Sequence, residues 1–159
     1  MNLAAAEERP DPLPTLHILP WPDPVIDKVG HDPRSAYVEQ YWLAVLGPAS
    51  ILLLRHLANR FDDEPDGFEL DLETCARSLG LGPALGRWGP IQRTVSRCAT
   101  FGMVRRWGGD RLMARRLLPP LARHHVARLP DHLQRRHQAW LEAALGQPGA
   151  AKAPTRRDS

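Results

Sequence analysis

The amino-acid sequence predicts a mainly α-helical domain that carries one small antiparallel β-hairpin. Two observations lead to this fold class. In several segments apolar residues recur at three- and four-residue intervals, which is the period of an amphipathic helix. In the second half of the chain, Gly108-Gly109-Asp110 separates two short strand-like runs and is typical of a tight hairpin turn. A chain of 159 residues leaves room for one compact domain with loose ends.

Residues 1–34 are predicted to form an extended, proline-rich arm. This segment holds seven prolines. Because proline fixes φ and has no N–H to donate, we expect neither a helix nor a central strand in it. The apolar residues between Leu16 and Ile26 indicate that part of the arm lies along the surface of the domain.

The folded domain is predicted to begin at residue 35, where Ser35 is a suitable N-cap. Helical periodicity continues to Leu46 and is interrupted by Gly47-Pro48. A second helix then reaches about Arg60, and its broad apolar stripe predicts the buried central helix. Residues 68–70 are predicted to form a short strand.

The next two helices are predicted within residues 71–101. Asp71 caps the first helix, and Gly80 ends it. The second helix begins at Pro90, since proline suits the first helical position. Its apolar residues face one side, and polar residues face the other. These polar residues are Gln92, Arg93, Ser96, Arg97 and Thr100.

The hairpin is predicted over residues 103–117, and a short helix follows near residues 121–126. A last helix is predicted over residues 130–145, with leucines and Trp140 on one side. The folded domain would thus span residues 35–145. Residues 146–159 are rich in polar residues, Gly and Pro, and are predicted to be a disordered tail.

Positive and negative charges are separated along the chain, although the net charge of +3 is small. An acidic block occupies residues 62–73, whereas residues 87–128 hold ten arginines and a single acidic residue, Asp110. A block of one sign is the pattern expected of a surface that contacts phosphate groups. The alternative is a set of ordinary solvated arginines, and their concentration on one predicted helix and hairpin favours phosphate contact.

No motif indicates an enzyme, a cofactor or a metal site. The glycines at 80, 82 and 86 follow a helix instead of a strand and lack the Lys-Ser/Thr of a phosphate loop. His132 and His137 are five residues apart, whereas two metal ligands on one helix face are four apart. We therefore expect a protein that is not an enzyme and that binds no cofactor or metal.

The sequence also predicts a cytoplasmic protein without a membrane segment. The longest apolar run, residues 41–54, is shorter than the roughly 20 residues of a membrane helix and is broken by Gly47-Pro48. Glu7 and Glu8 stand where a signal peptide needs positive charge. The two cysteines, Cys75 and Cys98, fall on apolar helix positions, which indicates free thiols in a reducing compartment.

The order of these elements resembles the winged helix-turn-helix superfamily, in particular the small winged-helix DNA-binding proteins of high-GC actinobacteria. Three segments within residues 70–118 carry the resemblance. They are the pattern Leu72-x-x-Cys75-Ala76-x-x-Leu79-Gly80-Leu81, the helix 90–101, and the hairpin 104–113. The resemblance implies a helix-turn-helix at 71–101, a wing at 103–117, and additional helices before and after them. The turn between the two helices is longer than in the tightest helix-turn-helix motifs.

The resemblance implies that double-stranded DNA is the partner and that the helix 90–101 enters the major groove. Arg93 and Arg97 are one turn apart, so each could form a bidentate contact with guanine. Arg87 precedes the helix and suits a phosphate, and Arg111 lies at the tip of the wing. The predicted DNA-contacting residues are Arg87, Gln92, Arg93, Ser96, Arg97, Thr100, Arg106 and Arg111. The function expected of such a protein is transcription regulation.

Two alternatives remain open at this point. The superfamily also contains members that bind only proteins, so the arginines could instead dock an acidic partner without specific DNA binding. The apolar stripe of the last helix could form a homodimer, or it could pack against Tyr41 and Trp42 of the same chain.

We expect four tryptophans to pack in the core. These are Trp42, Trp88, Trp107 and Trp140.

Overall fold

The computed structural model describes residues 14–146, which fold into a four-stranded sheet packed against helices. The strands are β1 (Thr15–Pro20), β2 (Phe68–Asp71), β3 (Val104–Arg106) and β4 (Arg111–Ala114). The helices are α1 (Ile26–Val29), α2 (Leu43–Leu46), α3 (Pro48–Asp63), α4 (Leu72–Ser78), α5 (Pro90–Thr100), α6 (Arg123–Val126) and α7 (Asp131–Leu145), and a π-helical segment (Val38–Trp42) leads directly into α2.

The sheet corrects the predicted fold class. Its strand order is β2-β1-β4-β3, and β1 pairs antiparallel with β2 but parallel with β4. The antiparallel hairpin of β3 and β4 is present, yet it is the edge of a mixed sheet and not a separate small wing. The prediction of a mainly α winged helix-turn-helix with one antiparallel hairpin is therefore wrong, and a winged helix is not shown.

The prediction that residues 1–34 hold neither a helix nor a central strand is wrong, because β1 is a central strand and the four-residue helix α1 also lies in this segment. Prolines stand at the ends of β1 and not within it, because Pro14 precedes the strand and Pro20 closes it. Between them Leu16 and Ile18 alternate with polar residues and are buried, which is the period-two pattern of a sheet with one covered face. Residues 1–13 of the predicted arm lie outside the described part of the chain, as do residues 147–159 of the predicted tail.

One face of the sheet packs against the hydrophobic core. Seven of its side chains are buried there, namely Leu16, Ile18, Phe68, Leu70, Val104, Leu112 and Ala114. The central helix α3 buries Leu54, Leu57 and Phe61 in the same core, as its apolar stripe predicts, and the ring of Phe61 packs edge-on against Phe68 of β2 with centroids 5.0 Å apart. Gly47, at φ 83°, allows the sharp break between α2 and α3 that the Gly-Pro pair predicts.

Helix α7 is attached to the body through an aromatic cluster. Within residues 131–145 only His137 is buried, and its Nε2 lies 2.9 Å from the hydroxyl of Tyr37. That hydroxyl accepts the backbone N–H of Leu121 at 2.9 Å, so its own proton is free to go to the imidazole. Burial lowers the pKa of His137, which favours the neutral ring that accepts this proton. Trp140 packs on Tyr37 with ring centroids 4.8 Å apart, so much of the stripe of α7 is used within the chain.

Among residues 14–146, none of the helices has both the length and the apolar character that crossing a membrane requires.

Candidate nucleic-acid interface

Helix α5 carries most of the predicted contact residues, and its ends are defined by local sequence. Pro90 occupies the first helical position after Gly89, the N-cap. A side chain at residue 89 would overlap the backbone carbonyl of Ala84, so the tight turn into α5 requires glycine. At the other end Gly102 adopts φ 73°, and the N–H of Met103 donates to the carbonyl of Cys98 at 2.9 Å.

The two faces of α5 separate as the sequence predicts. Ile91, Val95 and Cys98 are buried, and burial raises the pKa of the Cys98 thiol to about 11. The opposite face is open to solvent. Its exposed side chains are Arg93, Ser96, Arg97 and Thr100, with Gln92 half-buried at one edge. A shallow groove of about 390 Å³ runs beside this face, between α5 and the start of α3.

Arg97, which is predicted to read a base, also makes contacts within the chain. Its guanidinium donates to the carbonyl of Leu46 at 2.7 Å through Nε and to that of Val45 at 2.8 Å through Nη2. Both carbonyls belong to the end of α2. No following turn of that helix supplies an N–H that could donate to them. Phe101 lies beneath the same guanidinium, at 5.1 Å from its ring centroid. Arg97 therefore holds α5 against α2, and two of the N–H groups with which it could pair with guanine are engaged within the chain.

The hairpin brings Arg106 to α5 and separates it from Arg111. Nη2 of Arg106 lies 3.5 Å from Oε1 of Gln92, so these two predicted residues meet. Arg106 is opposite Leu112 in the ladder and shares the core-facing side of the sheet with it. Arg111 precedes Leu112 and pairs with His17, so alternation turns its side chain to the outer face. The structure thus does not bring the predicted contacts of Arg106 and Arg111 onto one surface.

Arg87 precedes α5, as predicted, and lies in an exposed turn. The carbonyl of Gly86 accepts the N–H of Gly89 at 2.8 Å, and this turn places Arg87 and Trp88 at its centre. The Arg87 guanidinium lies 5.0 Å from the ring centroid of Trp88. We use the name α5 surface for the polar side chains of this face of α5 other than Arg97, together with Arg87 and Arg106 beside it. It consists of Arg87, Gln92, Arg93, Ser96, Thr100 and Arg106.

The arginines of the α5 surface have no carboxylate partner, like most arginines of the described residues. Within residues 14–146, four arginines form ion pairs with carboxylates, whereas Arg87, Arg93 and Arg106 form none. Hydrogen bonds from Arg115 and Arg34 hold the pKa of Asp23 and of Asp62, respectively, below the usual range of a carboxyl group. The pairs are Arg34 with Asp32 and Asp62, Arg60 with Glu64, Arg115 with Asp23, and Arg116 with Asp62.

The expectation that four tryptophans pack in the core holds only for Trp42, whose Nε1 donates to the carbonyl of Pro119 at 2.7 Å. Trp140 is partly exposed, while Trp88 and Trp107 are 76% and 57% exposed. A local signal could have identified the last two. Each stands in the tripeptide Arg-Trp-Gly, at residues 87–89 and 106–108, and glycine after tryptophan is more typical of a turn than of a core segment.

In the part of the chain that the structure describes, no three His, Cys, Asp or Glu side chains come together in a way that could hold a metal ion. Comparison of this chain with protein-family models, with curated proteins and with solved structures finds no match. The interpretation of the α5 surface therefore depends on its own geometry and charge.

Proposed function

We propose that the protein binds double-stranded DNA through the α5 surface, with α5 in the major groove and the arginines beside it on the phosphates. A helix of this length fits the major groove of a DNA duplex, where the edges of all four base pairs can be distinguished. Arg93 and Ser96 are exposed on the central line of the polar face and are the residues proposed to reach bases. Arg87 and Arg106 lie at its borders and are proposed to contact the backbone.

The observation that supports this proposal is the absence of carboxylate partners for Arg87, Arg93 and Arg106 within residues 14–146. Like charges kept together without counter-charges repel one another and favour an anionic partner. Most other arginines of residues 14–146 also lack a carboxylate partner, so these three are distinguished by their position on or next to α5 and not by the missing partner alone. Sequence-specific duplex binding by so small a protein fits transcription regulation in the cytoplasm, and we extend the proposal to that role.

The proposal is tested by measuring affinity for random-sequence duplex DNA over a series of salt concentrations. Each phosphate contact contributes about −0.9 to the slope of log affinity against log salt. The double variant Arg93→Ala/Arg106→Ala should bind more weakly. Its slope should be shallower by about 0.9 for each phosphate contact that is lost.

The matched control is Arg135→Ala, because Arg135 is an exposed arginine on α7, away from the α5 surface. Removing the same charge there should leave the slope unchanged. If wild type shows no salt-dependent binding, or if the control weakens binding as much as the α5-surface variants do, the proposal is wrong. The alternative, docking of an acidic protein through the same arginines, is the hypothesis to pursue in that case.

A homodimer through α7 stays a prediction of the sequence. Trp140 and His137 are already used within the chain, whereas Leu145 is exposed at the end of the helix. Sedimentation at micromolar concentration distinguishes a dimer from a monomer, and a monomer would exclude this partner.

A further inference from the structure

The groove of about 390 Å³ between α5 and the start of α3 is positively charged. One wall is the first turn of α3, and the other is a stripe of α5 that carries Pro90, Arg93, Thr94 and Arg97 at the spacing of a helix face. Of the described residues that line the groove, two are arginines and none is acidic. Charge of one sign in a concave surface favours an anion.

The first turn of α3 adds backbone donors to this groove. Gly47 is the N-cap, and no side chain caps the helix. The N–H of Ile51 donates to the carbonyl of Gly47 at 3.2 Å, whereas the N–H groups of Ala49 and Ser50 come too early in the helix to have an acceptor within it. Ala49 and Ser50 both line the groove. N–H groups at the start of a long helix bind anions, and the helix dipole adds to their attraction.

The hydroxyl of Ser50 is a polar group that the fold itself leaves unused. Ser50 is only 2% exposed, and it lines the groove. Its carbonyl accepts from the Cys98 thiol at 4.0 Å, but its hydroxyl has no hydrogen-bond partner within residues 14–146. By contrast, the hydroxyl of Thr94 in the opposite wall donates to the carbonyl of Pro90 at 2.8 Å. Because buried polar groups are normally hydrogen-bonded, the Ser50 hydroxyl points to a ligand oxygen in the groove.

Arg97 fixes a guanidinium beside these donors. Two of its N–H groups donate to the carbonyls of Val45 and Leu46, directly before Gly47, and a guanidinium has further N–H groups that a ligand can use. Arg93 lies one turn earlier on α5, is exposed, and forms no ion pair within the described residues. The groove thus combines two cations, two backbone N–H groups and one hydroxyl.

From these observations we infer that the groove binds a phosphate group through Ala49, Ser50, Arg93 and Arg97. A phosphate group carries negative charge and several acceptor oxygens, so it can accept from N–H groups, a hydroxyl and guanidinium groups at once. A DNA backbone and a free phosphorylated molecule both carry this group, and the experiment below distinguishes them. The inference does not depend on the proposed function, because Ser50 and the first turn of α3 are not part of the α5 surface.

The experiment titrates inorganic phosphate into the isotope-labelled protein at constant ionic strength and follows the backbone amide resonances by NMR, with chloride as the reference anion. The resonances of Ala49 and Ser50 should shift saturably with phosphate and not with chloride. Arg93→Ala should raise the Kd about tenfold, as expected for the loss of one charge-assisted hydrogen bond, and Ser50→Ala should raise it about threefold. The matched control Arg135→Ala should leave the Kd unchanged.

A short DNA duplex, added in place of phosphate, identifies the source of the group. If the duplex shifts the same two resonances and phosphate competes with it, the groove takes a phosphate of the DNA backbone. If the duplex leaves them unchanged while phosphate shifts them, the groove takes a free phosphorylated molecule.

The absence of a saturable shift at Ala49 and Ser50 in the wild type would overturn the inference. The same conclusion would follow if the Kd for phosphate were unchanged in both Arg93→Ala and Ser50→Ala. Unperturbed resonances in the rest of each spectrum show that the variants are folded. Duplex binding without phosphate binding in the groove would refute this inference alone, whereas phosphate binding without any duplex binding would refute only the proposed function.

Discussion

Replacing Arg97 with alanine should destabilise the fold, although its position on the exposed face of α5 predicts a functional role. The side chain donates two charge-assisted hydrogen bonds, at 2.7 and 2.8 Å, to carbonyls at the end of α2. A hydrogen bond to a charged group contributes about 1.5–3 kcal/mol when it is well shielded. Because the side chain is exposed and water can replace part of the interaction, we expect a total loss of about 1–2 kcal/mol.

Urea denaturation measures this loss as a shift of the midpoint at an unchanged slope. The matched control is Arg93→Ala, one turn earlier on the same helix, where the free energy of unfolding should change by less than about 0.5 kcal/mol. Arg97→Lys should restore little, since an ammonium group cannot reproduce the planar fork that reaches both carbonyls. Equal midpoints for Arg97→Ala and Arg93→Ala would refute the structural role of Arg97.

Two further predictions concern the stability of the fold. Ile18→Ala removes a fully buried side chain from the central strand β1 and should lower the free energy of unfolding by about 2–5 kcal/mol in urea denaturation; a loss below about 1 kcal/mol would contradict a central strand. Burial lowers the pKa of His137, so the unfolded chain binds more protons and stability falls as pH drops below about 6.5. Midpoints measured against pH should show a smaller decline for His137→Gln, and an unchanged decline would exclude His137 as its source.

The local elements of the domain were predictable because the signals for them lie within a few residues of each other. Asp71 accepts the N–H of Thr74 at 2.7 Å, as its position before an apolar periodic segment predicts. Pro90 begins α5 at the first helical position. The Gly-Gly-Asp turn joins β3 to β4. Each of these outcomes depends on backbone preferences that a short window of sequence contains.

The mixed sheet was not predictable in the same way. Five residues between two prolines give a weak strand signal, and their partners in β2 and β4 are far along the chain. Proline is excluded from a strand only where the ladder needs its N–H or where its φ does not fit. Pro14 and Pro20 stand at the ends of β1, where neither condition interferes with pairing inside it.

The amino-acid sequence by itself determined the amphipathic α5, its ends, the hairpin after it and the concentration of arginine on both. Only the tertiary structure decided which of those arginines remain available to a ligand. The carbonyl of Leu46 that engages Arg97 lies 51 residues away in sequence, and the register of β4 turns Arg111 away from Arg106. The physical reason is that helical periodicity assigns a side chain to a face, whereas its hydrogen-bond partners depend on which distant segments fold against that face.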